Sequence, residues 1–269
     1  MNGMERYKMK RIFLLLCSIL LVAIVAIGCS DNPAKPEGQG RLSLTAFDAP
    51  APEGIEHLYI HIVEISAHHE DNGWMTLADI DTTIDFLELV NGITINLFDD
   101  SIPSGYYSQI RLLLNDSNTI VVDSVTYPLT IPSGTQTGIK LNLDEQVSPG
   151  EFVSLMVDFD LSKSVIVANN NYKLKPTYNM FKEDVSGMIS GMVTDTLGAP
   201  VNNVMIDAVS SMYSTSTITD SSGNYLLILP VGVYSLSAQL DSTSIVDTTY
   251  TDINLMASDS LTGYNFIIQ

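Results

Sequence analysis

Short stretches of alternating apolar and polar residues follow one another along this 269-residue chain, and they restrict its fold more than any other feature. Successive side chains of a β-strand point to opposite faces of a sheet, so alternation indicates strands with one buried face. Residues 55–65 form a long alternating stretch, and residues 68–74 supply a turn before the next one. Further strands are predicted at residues 106–114, 119–122, 139–143, 152–159 and 172–177, between turns rich in Pro, Gly and Ser. The pattern predicts an all-β protein made of sandwiches or barrels.

One segment also fits a helix. Apolar residues within residues 77–90 recur at helical spacing, and Asn91-Gly92 follows as a stop signal. Against a helix stand the β-branched residues 82–84, because branched side chains prefer strands. The sequence therefore predicts a short helix here, with a strand as the alternative.

The amino terminus has the composition of an export signal. Basic residues between positions 6 and 11 precede an uncharged apolar run over residues 12–27. This run is shorter than the about 20 residues that span a bilayer, although an uncleaved anchor is the alternative. The run ends in Ala26-Ile27-Gly28-Cys29, which resembles the cleavage motif of bacterial lipoprotein signals. The resemblance implies that residues 1–28 are removed by cleavage between Gly28 and Cys29 and that Cys29 carries a diacylglyceryl group and a further acyl chain such as palmitate.

Cysteine usage agrees with lipidation. The chain has two cysteines, and Cys17 lies inside the apolar run, so cleavage leaves Cys29 without an intramolecular partner. This excludes a disulfide scaffold and a cysteine-based zinc site from the mature protein. Because several acyl chains hold a protein firmly to a bilayer, we expect a membrane anchor at Cys29. By analogy with lipoprotein sorting, Ser30 favours the outer membrane, on its periplasmic or surface face, and residues 29–39 are predicted to be a tether.

A change in charge composition divides the rest of the chain. After Glu183 and Asp184 the chain contains Asp but no Lys, Arg or Glu. So abrupt a shift predicts a domain boundary near residue 185. We therefore expect one domain at residues 40–184 and a second at residues 186–269.

The carboxy-terminal part contains two turn motifs of the form Asp-x-x-Gly. They lie at residues 195–198 and 220–223, where an Asp side chain can cap the backbone and Gly can accept a positive φ. With the strands around them and with Gly232-Val233-Tyr234, they resemble a carboxypeptidase regulatory-like domain over about residues 187–240. The resemblance implies a seven-stranded, transthyretin-like (prealbumin-like, Ig-like) β-sandwich without peptidase machinery. Members of the family are usually spacers or stabilising modules, and some relatives of the fold bind carbohydrate.

The amino-terminal domain carries a second set of motifs. They are Gly40-Arg41-Leu42 with Asp48-Ala49-Pro50, and the stretches at residues 105–112, 131–140, 157–160 and 173–176. Together they resemble a lipoprotein domain of unknown function from Gram-negative bacteria, over roughly residues 40–180. The resemblance implies an exported β-rich domain and brings no activity with it. The fold class that we predict is therefore all-β, with two sandwich-like domains.

Charge and motif content limit the functions that are open to this chain. Its formal net charge is −19, which makes nucleic acid a poor partner. The sequence contains no Gly-x-Ser-x-Gly elbow, His-Glu-x-x-His helix, phosphate loop or dinucleotide fingerprint. We therefore expect a protein that is not an enzyme. A carboxylate pair for glycoside hydrolysis is the alternative, because acidic residues are plentiful.

Histidines and aspartates supply the candidate metal ligands. His57 and His61 lie four residues apart on one predicted strand face, with His68 and His69 at the adjacent turn, and grouped neutral imidazoles bind zinc or copper. A polar stripe facing solvent explains the alternating histidines equally well. Residues 79–85 place oxygen ligands at alternate positions, as a calcium loop does, but they lack its Gly turn and distal Glu. We expect no cofactor, with Ca²⁺ or Zn²⁺ as the weaker alternative.

These observations predict a lipid-anchored, exported, non-catalytic binding or structural module of the cell envelope. Its partner is a polysaccharide or another envelope protein. The single tryptophan, Trp74, is predicted to lie in the core, with stacking on a sugar ring as the alternative. The alternative function is a metal-dependent or carboxylate-based hydrolase of cell-surface glycans, which requires the four histidines to converge.

Overall fold

β-strands make up almost all the regular structure. A computed structural model describes residues 38–50, 54–132, 134–168, 171–240 and 249–269. The predicted signal and Cys29 lie outside these residues. In the part of the chain that is described, no helix is long and apolar enough to cross a membrane.

Twelve strands occupy the described residues before the predicted boundary. They are β1 (Gln39–Ala49), β2 (Ile55–His69), β3 (Gly73–Asp85), β4 (Ile95–Pro103), β5 (Gly105–Leu114), β6 (Thr119–Val122), β7 (Val125–Thr130), β8 (Ile139–Val147), β9 (Phe152–Asp160), β10 (Val165–Ala168), β11 (Asn171–Leu174) and β12 (Tyr178–Lys182). One sheet has the order β12-β9-β1-β4, and the other has the order β10-β11-β7-β6-β2-β5-β8 with β3 paired to β2. A short α-helix, Leu161–Ser164, follows β9.

The long strand β2 organises the larger sheet. One of its edges pairs with β3, and the other pairs with β6 in its first half and with β5 in its second half. A β-bulge between Ile62 and Glu64 shifts the register. The core-facing residues therefore fall at positions 58, 60 and 62 before the bulge and at 65, 67 and 69 after it. The shift changes which side chains face solvent, because the side-chain period of a strand is two.

The helix expected within residues 77–90 is wrong. Strand β3 continues to Asp85 and pairs with β2, and only a 3-10 turn, Phe86–Glu88, follows it. The bulges in the β2–β3 pairing insert extra residues, so the apolar positions of β3 take a spacing that imitates a helix. The β-branched residues 82–84 correctly favoured a strand at this place.

Both sheets of the first half contribute to one hydrophobic core. Leu44 and Val157 come from the four-stranded sheet, and Ile60, Tyr107 and Leu141 come from the larger one. All five side chains are fully buried. Two sheets that enclose one core between their apolar faces form a β-sandwich, as the sequence predicts.

Eight strands follow in the described residues of the second half. They are β13 (Ser186–Asp195), β14 (Met205–Val209), β15 (Ser214–Ile218), β16 (Asn224–Pro230), β17 (Gly232–Gln239), β18 (Tyr250–Leu255), β19 (Ser260–Leu261) and β20 (Phe266–Ile268). One sheet has the order β16-β13-β19 with β20 also paired to β13, and the other has the order β15-β14-β17-β18. A second, separate core lies between them. The fold is all-β with two sandwiches, as expected from the sequence.

The two Asp-x-x-Gly turns have the predicted geometry. Asp195 Oδ1 accepts hydrogen bonds from the backbone N–H groups of Leu197 and Ala199, both at 2.8 Å. Asp220 Oδ1 does the same for residues 222 and 224, at 2.8 and 2.9 Å. Gly198 and Gly223 have φ values of 83° and 75°. These turns were readable from sequence because all their partners lie within four residues.

Candidate functional site

The bulge in β2 separates the four histidines. His57 and His61 lie before it and face outward, whereas His69 lies after it on the core side and is 3% exposed. His69 Nε2 contacts the Ser104 carbonyl oxygen at 3.2 Å, and its Nδ1 accepts the backbone N–H of Asp71 at 3.1 Å. His69 is therefore a structural side chain, with both ring nitrogens in contact with the backbone.

The two outward histidines have carboxylate partners of their own. His57 Nδ1 is 2.5 Å from Asp85 Oδ2, and His61 Nε2 is 2.6 Å from Asp81 Oδ1. His61 Nδ1 also contacts the Thr83 hydroxyl at 2.8 Å. Asp85 caps the following 3-10 turn through the Leu87 N–H. Each of these two imidazoles is thus hydrogen-bonded to side chains of the neighbouring strand β3.

The predicted metal sites are not assembled in the described residues. No group of three or more His, Cys, Asp or Glu side chains there is arranged to hold a metal ion. The four-histidine zinc site does not form because His57, His61 and His68 face outward while His69 faces the core. Residues 79–85 lie within strand β3 and do not form a calcium loop, and their carboxylates do not converge. The convergence that the hydrolase alternative required is absent from this part of the chain.

Trp74 lies on the outer surface of the larger sheet and is 41% exposed. The prediction that it belongs to the core is therefore wrong. The Arg111 guanidinium carbon lies 3.4 Å from the centroid of the indole, in cation–π contact. His68 packs edge-on against the same ring, with centroids 5.3 Å apart. The tryptophan is thus held in place although much of it meets solvent.

Cross-strand register explains how Arg111 reaches the tryptophan. Arg111 on β5 is opposite Ser66 on β2, and Ser66 has a small side chain that is 3% exposed. On the other side of Arg111, the absence of a side chain at Gly138 leaves room for it, because a Cβ at position 138 would lie 2.7 Å from Arg111 Cγ. Arg111 therefore extends over Ser66 toward Trp74. The Nε of Arg111 is buried and has no hydrogen-bond partner.

Polar side chains continue the surface onto β8. Gln109 Nε2 donates to Asn142 Oδ1 at 2.9 Å, and Lys140 is the direct cross-strand partner of Arg111. Lys140 and Asn142 are exposed. We call this surface the Trp74 face; it comprises Ser66, His68, Trp74, Gln109, Arg111, Lys140 and Asn142. Two of the sequence motifs of the first domain, residues 105–112 and 131–140, meet here across the β5–β8 pairing.

The Trp74 face has the components of a binding surface. An indole, two side-chain amides and two cations are carried by adjacent strands, which are more rigid supports than loops. The Ser108 hydroxyl is 3.0 Å from His68 Nδ1, and the edge of the Trp74 ring borders that imidazole. Sequence reasoning missed this face because the alternation at residues 73–76 does not reveal that β3 is an edge strand.

A junction joins the two sandwiches through the Asn91-Gly92 turn. Asn91 N donates to Thr217 Oγ1 at 2.9 Å, and Asn91 Oδ1 accepts the Leu226 N–H at 2.7 Å. Thr217 lies on β15 and Leu226 on β16, and each of these strands ends its sheet. The Asn91 side chain also donates through Nδ2 to the Asn224 carbonyl at 3.3 Å, so its amide satisfies both a donor and an acceptor on the exposed edge of β16. The Asn91-Gly92 pair, which is predicted from the sequence to end a helix, forms this contact.

The second junction contact is buried. Asp158 on β9 is 1% exposed, and its Oδ2 accepts a 2.5 Å hydrogen bond from the Tyr213 hydroxyl of the second sandwich. Its Oδ1 has no hydrogen-bond partner. Burial raises the pKa of Asp158 to about 6, against the lowering effect of the Tyr213 hydrogen bond. Burial and the adjacent carboxylate raise the pKa of Tyr213, so its hydroxyl stays a donor.

Comparisons with solved structures find proteins of low similarity. The Bacillus anthracis TIE protein is 12% identical, with 86% of this chain and 34% of that chain covered and a TM-score of 0.28. A Streptococcal ancillary pilin is 13% identical, with 85% and 69% covered and a TM-score of 0.28. A mutant of the shaft pilin SpaA from Lactobacillus rhamnosus GG is 8% identical, with 87% and 97% covered and a TM-score of 0.26. This chain spans about a third of the TIE protein, and at these TM-scores the likeness carries no functional argument.

Family profiles match both halves of the chain. Residues 188–268 match the carboxypeptidase regulatory-like domain. Residues 39–176, more than half of the chain, match a domain of unknown function (DUF4382). No curated protein matches the chain at a significant level. The chain therefore belongs to the family described as domain of unknown function (DUF4382), with a carboxypeptidase regulatory-like domain after it.

Proposed function

We propose that this protein is an exported, lipid-anchored module of the cell envelope that binds polysaccharide on the Trp74 face without a catalytic step. The observation that carries the proposal is the position of Trp74. It is the single tryptophan of the chain, and it lies 41% exposed on a sheet surface among polar side chains. Tryptophan is enriched among the residues that anchor binding surfaces.

The chemistry of the face suits a sugar ring. Indole rings offer a large apolar surface with few rotatable bonds, so little conformational entropy is lost when a ligand stacks on them. The Gln109–Asn142 pair lies beside the aromatic ring and supplies donors and acceptors at adjacent positions. Sugar hydroxyls are both donors and acceptors and match such amides. An aromatic platform bordered by amides is therefore suited to carbohydrate.

The proposed location of the protein rests on its amino-terminal sequence. Cleavage after Gly28 and acylation of Cys29 would attach it to the outer membrane, and residues 29–39 would set its reach. We propose residues 40–184 and 186–269 as its two domains. The Asn91 and Asp158 contacts support a fixed orientation of the second sandwich relative to the Trp74 face.

Glycan binding by the protein from Ser30 onward tests the proposal. It is screened on a glycan array with and without Ca²⁺ and Zn²⁺, next to Trp74→Ala. Phe152→Ala is the matched control, because Phe152 is also exposed and lies under a guanidinium, that of Arg41 at 5.1 Å, but on another part of the molecule. We expect binding that Trp74→Ala abolishes and Phe152→Ala retains.

Three results would overturn the proposal. Absence of binding to every glycan would favour a structural role or an envelope-protein partner. Equal binding by wild type and Trp74→Ala would place the ligand elsewhere. The chain length of each bound glycan is measured after incubation, and shortening would favour the hydrolase alternative.

A further inference from the structure

We infer that the Trp74 face selects acidic polysaccharides, those with a carboxylate on the sugar ring, over neutral ones. This inference rests on the proposed function, because it concerns the same face. It starts from Arg111 and Lys140, which are direct cross-strand partners on β5 and β8. Like charges directly opposite each other destabilise a sheet. A chain with 12 basic and 31 acidic residues thus places two of its few cations side by side.

In the part of the first sandwich that the structure describes, three other cations are paired with carboxylates, whereas Arg111 and Lys140, like the exposed Lys173 and Lys175, are not. Arg41 pairs with Asp99 at 2.7 Å, Lys163 with Asp160 at 2.5 Å, and Lys182 with Glu145 at 2.6 Å; these pairs lie away from the Trp74 face. Within the described residues, no ion pair joins Arg111 or Lys140 to a carboxylate. The Trp74 face therefore carries local positive charge on an acidic protein, and a bound anion would neutralise that charge.

The stacking of Arg111 determines how it can receive an anion. The indole covers one face of the guanidinium, whose carbon lies 3.4 Å from the ring centroid. An anion must therefore approach Arg111 in the plane of the guanidinium, where its N–H groups point. A carboxylate accepts two parallel hydrogen bonds in that plane. The Nε of Arg111 is buried, so a carboxylate from solvent would bind the two terminal Nη groups of the guanidinium.

The size of the face indicates an oligosaccharide. Trp74 on β3 and Lys140 on β8 are separated by three strand spacings, roughly 14 Å across the sheet. One sugar ring can stack on the indole while the carboxylate of that ring or a neighbouring ring reaches Arg111 and Lys140. The carboxylates of Glu64 and Asp79, cross-strand partners further along β2 and β3, would repel an acidic chain from that side.

Binding of a polyuronate and of a neutral glucan of similar length tests the inference. Alginate and dextran oligosaccharides are titrated into the protein from Ser30 onward by calorimetry, with wild type, Trp74→Ala, Lys140→Gln and Lys173→Gln. Lys173 is an exposed lysine on β11 and serves as the control for a general loss of charge. We expect alginate to bind more tightly than dextran and Lys140→Gln to weaken alginate binding by about fivefold. Lys173→Gln should bind like wild type, and added salt should weaken alginate binding.

The possible failures are distinguishable. Binding of dextran that depends on Trp74 but not on Lys140, without a preference for alginate, would overturn this inference and leave the proposed function standing. Binding of neither oligosaccharide would overturn this inference and leave the proposed function to the glycan array, whereas binding that Trp74→Ala does not weaken would overturn both. Equal losses in Lys140→Gln and Lys173→Gln would show unspecific attraction and would overturn the selectivity.

Discussion

Asp158 makes the stability of the first sandwich depend on pH, and Asp158→Asn should remove that dependence. The carboxyl group is buried at the junction and accepts the Tyr213 hydroxyl hydrogen bond. An asparagine is nearly isosteric and can accept the same bond through its own Oδ1, but it does not ionise. The substitution thus keeps the contact and removes the charge.

The magnitude follows from the two states of the carboxyl group. Its pKa is about 6 in the folded protein and 3.8 as the ordinary value, so the folded state holds the proton more tightly. Stability from this group is complete below pH 3.8 and is lost as pH rises through about 6. Each pH unit between the two pKa values corresponds to about 1.4 kcal/mol, so the loss is about 3 kcal/mol by pH 7.

Urea unfolding between pH 3.5 and 7.5 measures this loss. Trp74 is the single tryptophan and belongs to the sandwich that contains Asp158, so its fluorescence follows the relevant transition. Groups that titrate in both proteins, such as Asp160 beside the site, largely cancel in the difference between wild type and Asp158→Asn. The free energy of unfolding of wild type should fall by about 3 kcal/mol relative to the variant across this range.

A parallel pH dependence of the two proteins from pH 4 to 7 would refute this reasoning. Tyr213→Phe adds a second check. Removal of the hydroxyl takes away the hydrogen bond that lowers the pKa of Asp158, so the midpoint of the stability loss should move to higher pH.

Three further predictions concern the junction and the anchor. Gly92 and Gly150 both have a φ of 76°, so alanine at either position should lower the free energy of unfolding by about 1 kcal/mol. Gly92→Ala should cost about 1–3 kcal/mol more, because its Cβ would lie 2.1 Å from Leu226 Cδ2. Equal losses in the two variants would contradict this clash. Asn91→Ala removes the two side-chain hydrogen bonds to β16, with the Asn224 carbonyl and the Leu226 N–H, and keeps the backbone bond to Thr217. It should lower the free energy of unfolding by about 2 kcal/mol, with faster proteolysis near residues 183–185, and unchanged proteolysis would argue against the junction. Cys29→Ser should move the protein from the membrane to the soluble fraction and abolish incorporation of labelled palmitate, whereas retention in the membrane would favour the uncleaved anchor.

Local features of this fold could be predicted because their causes are local. Alternation predicted the strands, and the turns capped by Asp195 and Asp220 formed as expected because each involves neighbours in sequence. The family motifs also lie in short stretches that are recognised without knowledge of their contacts. The same local pattern misled at residues 77–90, where bulges imposed by pairing with β2 produced a helix-like spacing.

Features that depend on which strands become neighbours could not be predicted. Trp74 and Arg111 are 37 positions apart in sequence, and their stacking depends on the order β3-β2-β5 and on the small side chain of Ser66 between them. Whether a side chain on an alternating strand faces core or solvent depends on one inserted residue, which is why His69 faces the core while His57 faces outward.

The sequence by itself determined that this chain forms strands, where its tight turns lie and to which family it belongs, since alternation, turn residues and motifs act over a few neighbouring positions. Only the tertiary structure decided that Trp74 is exposed beside two unpaired cations and that Asn91 and Asp158 hold the second sandwich. Both arrangements arise from long-range strand pairing and burial. These depend on the whole set of sheet registers, which no short stretch of sequence specifies.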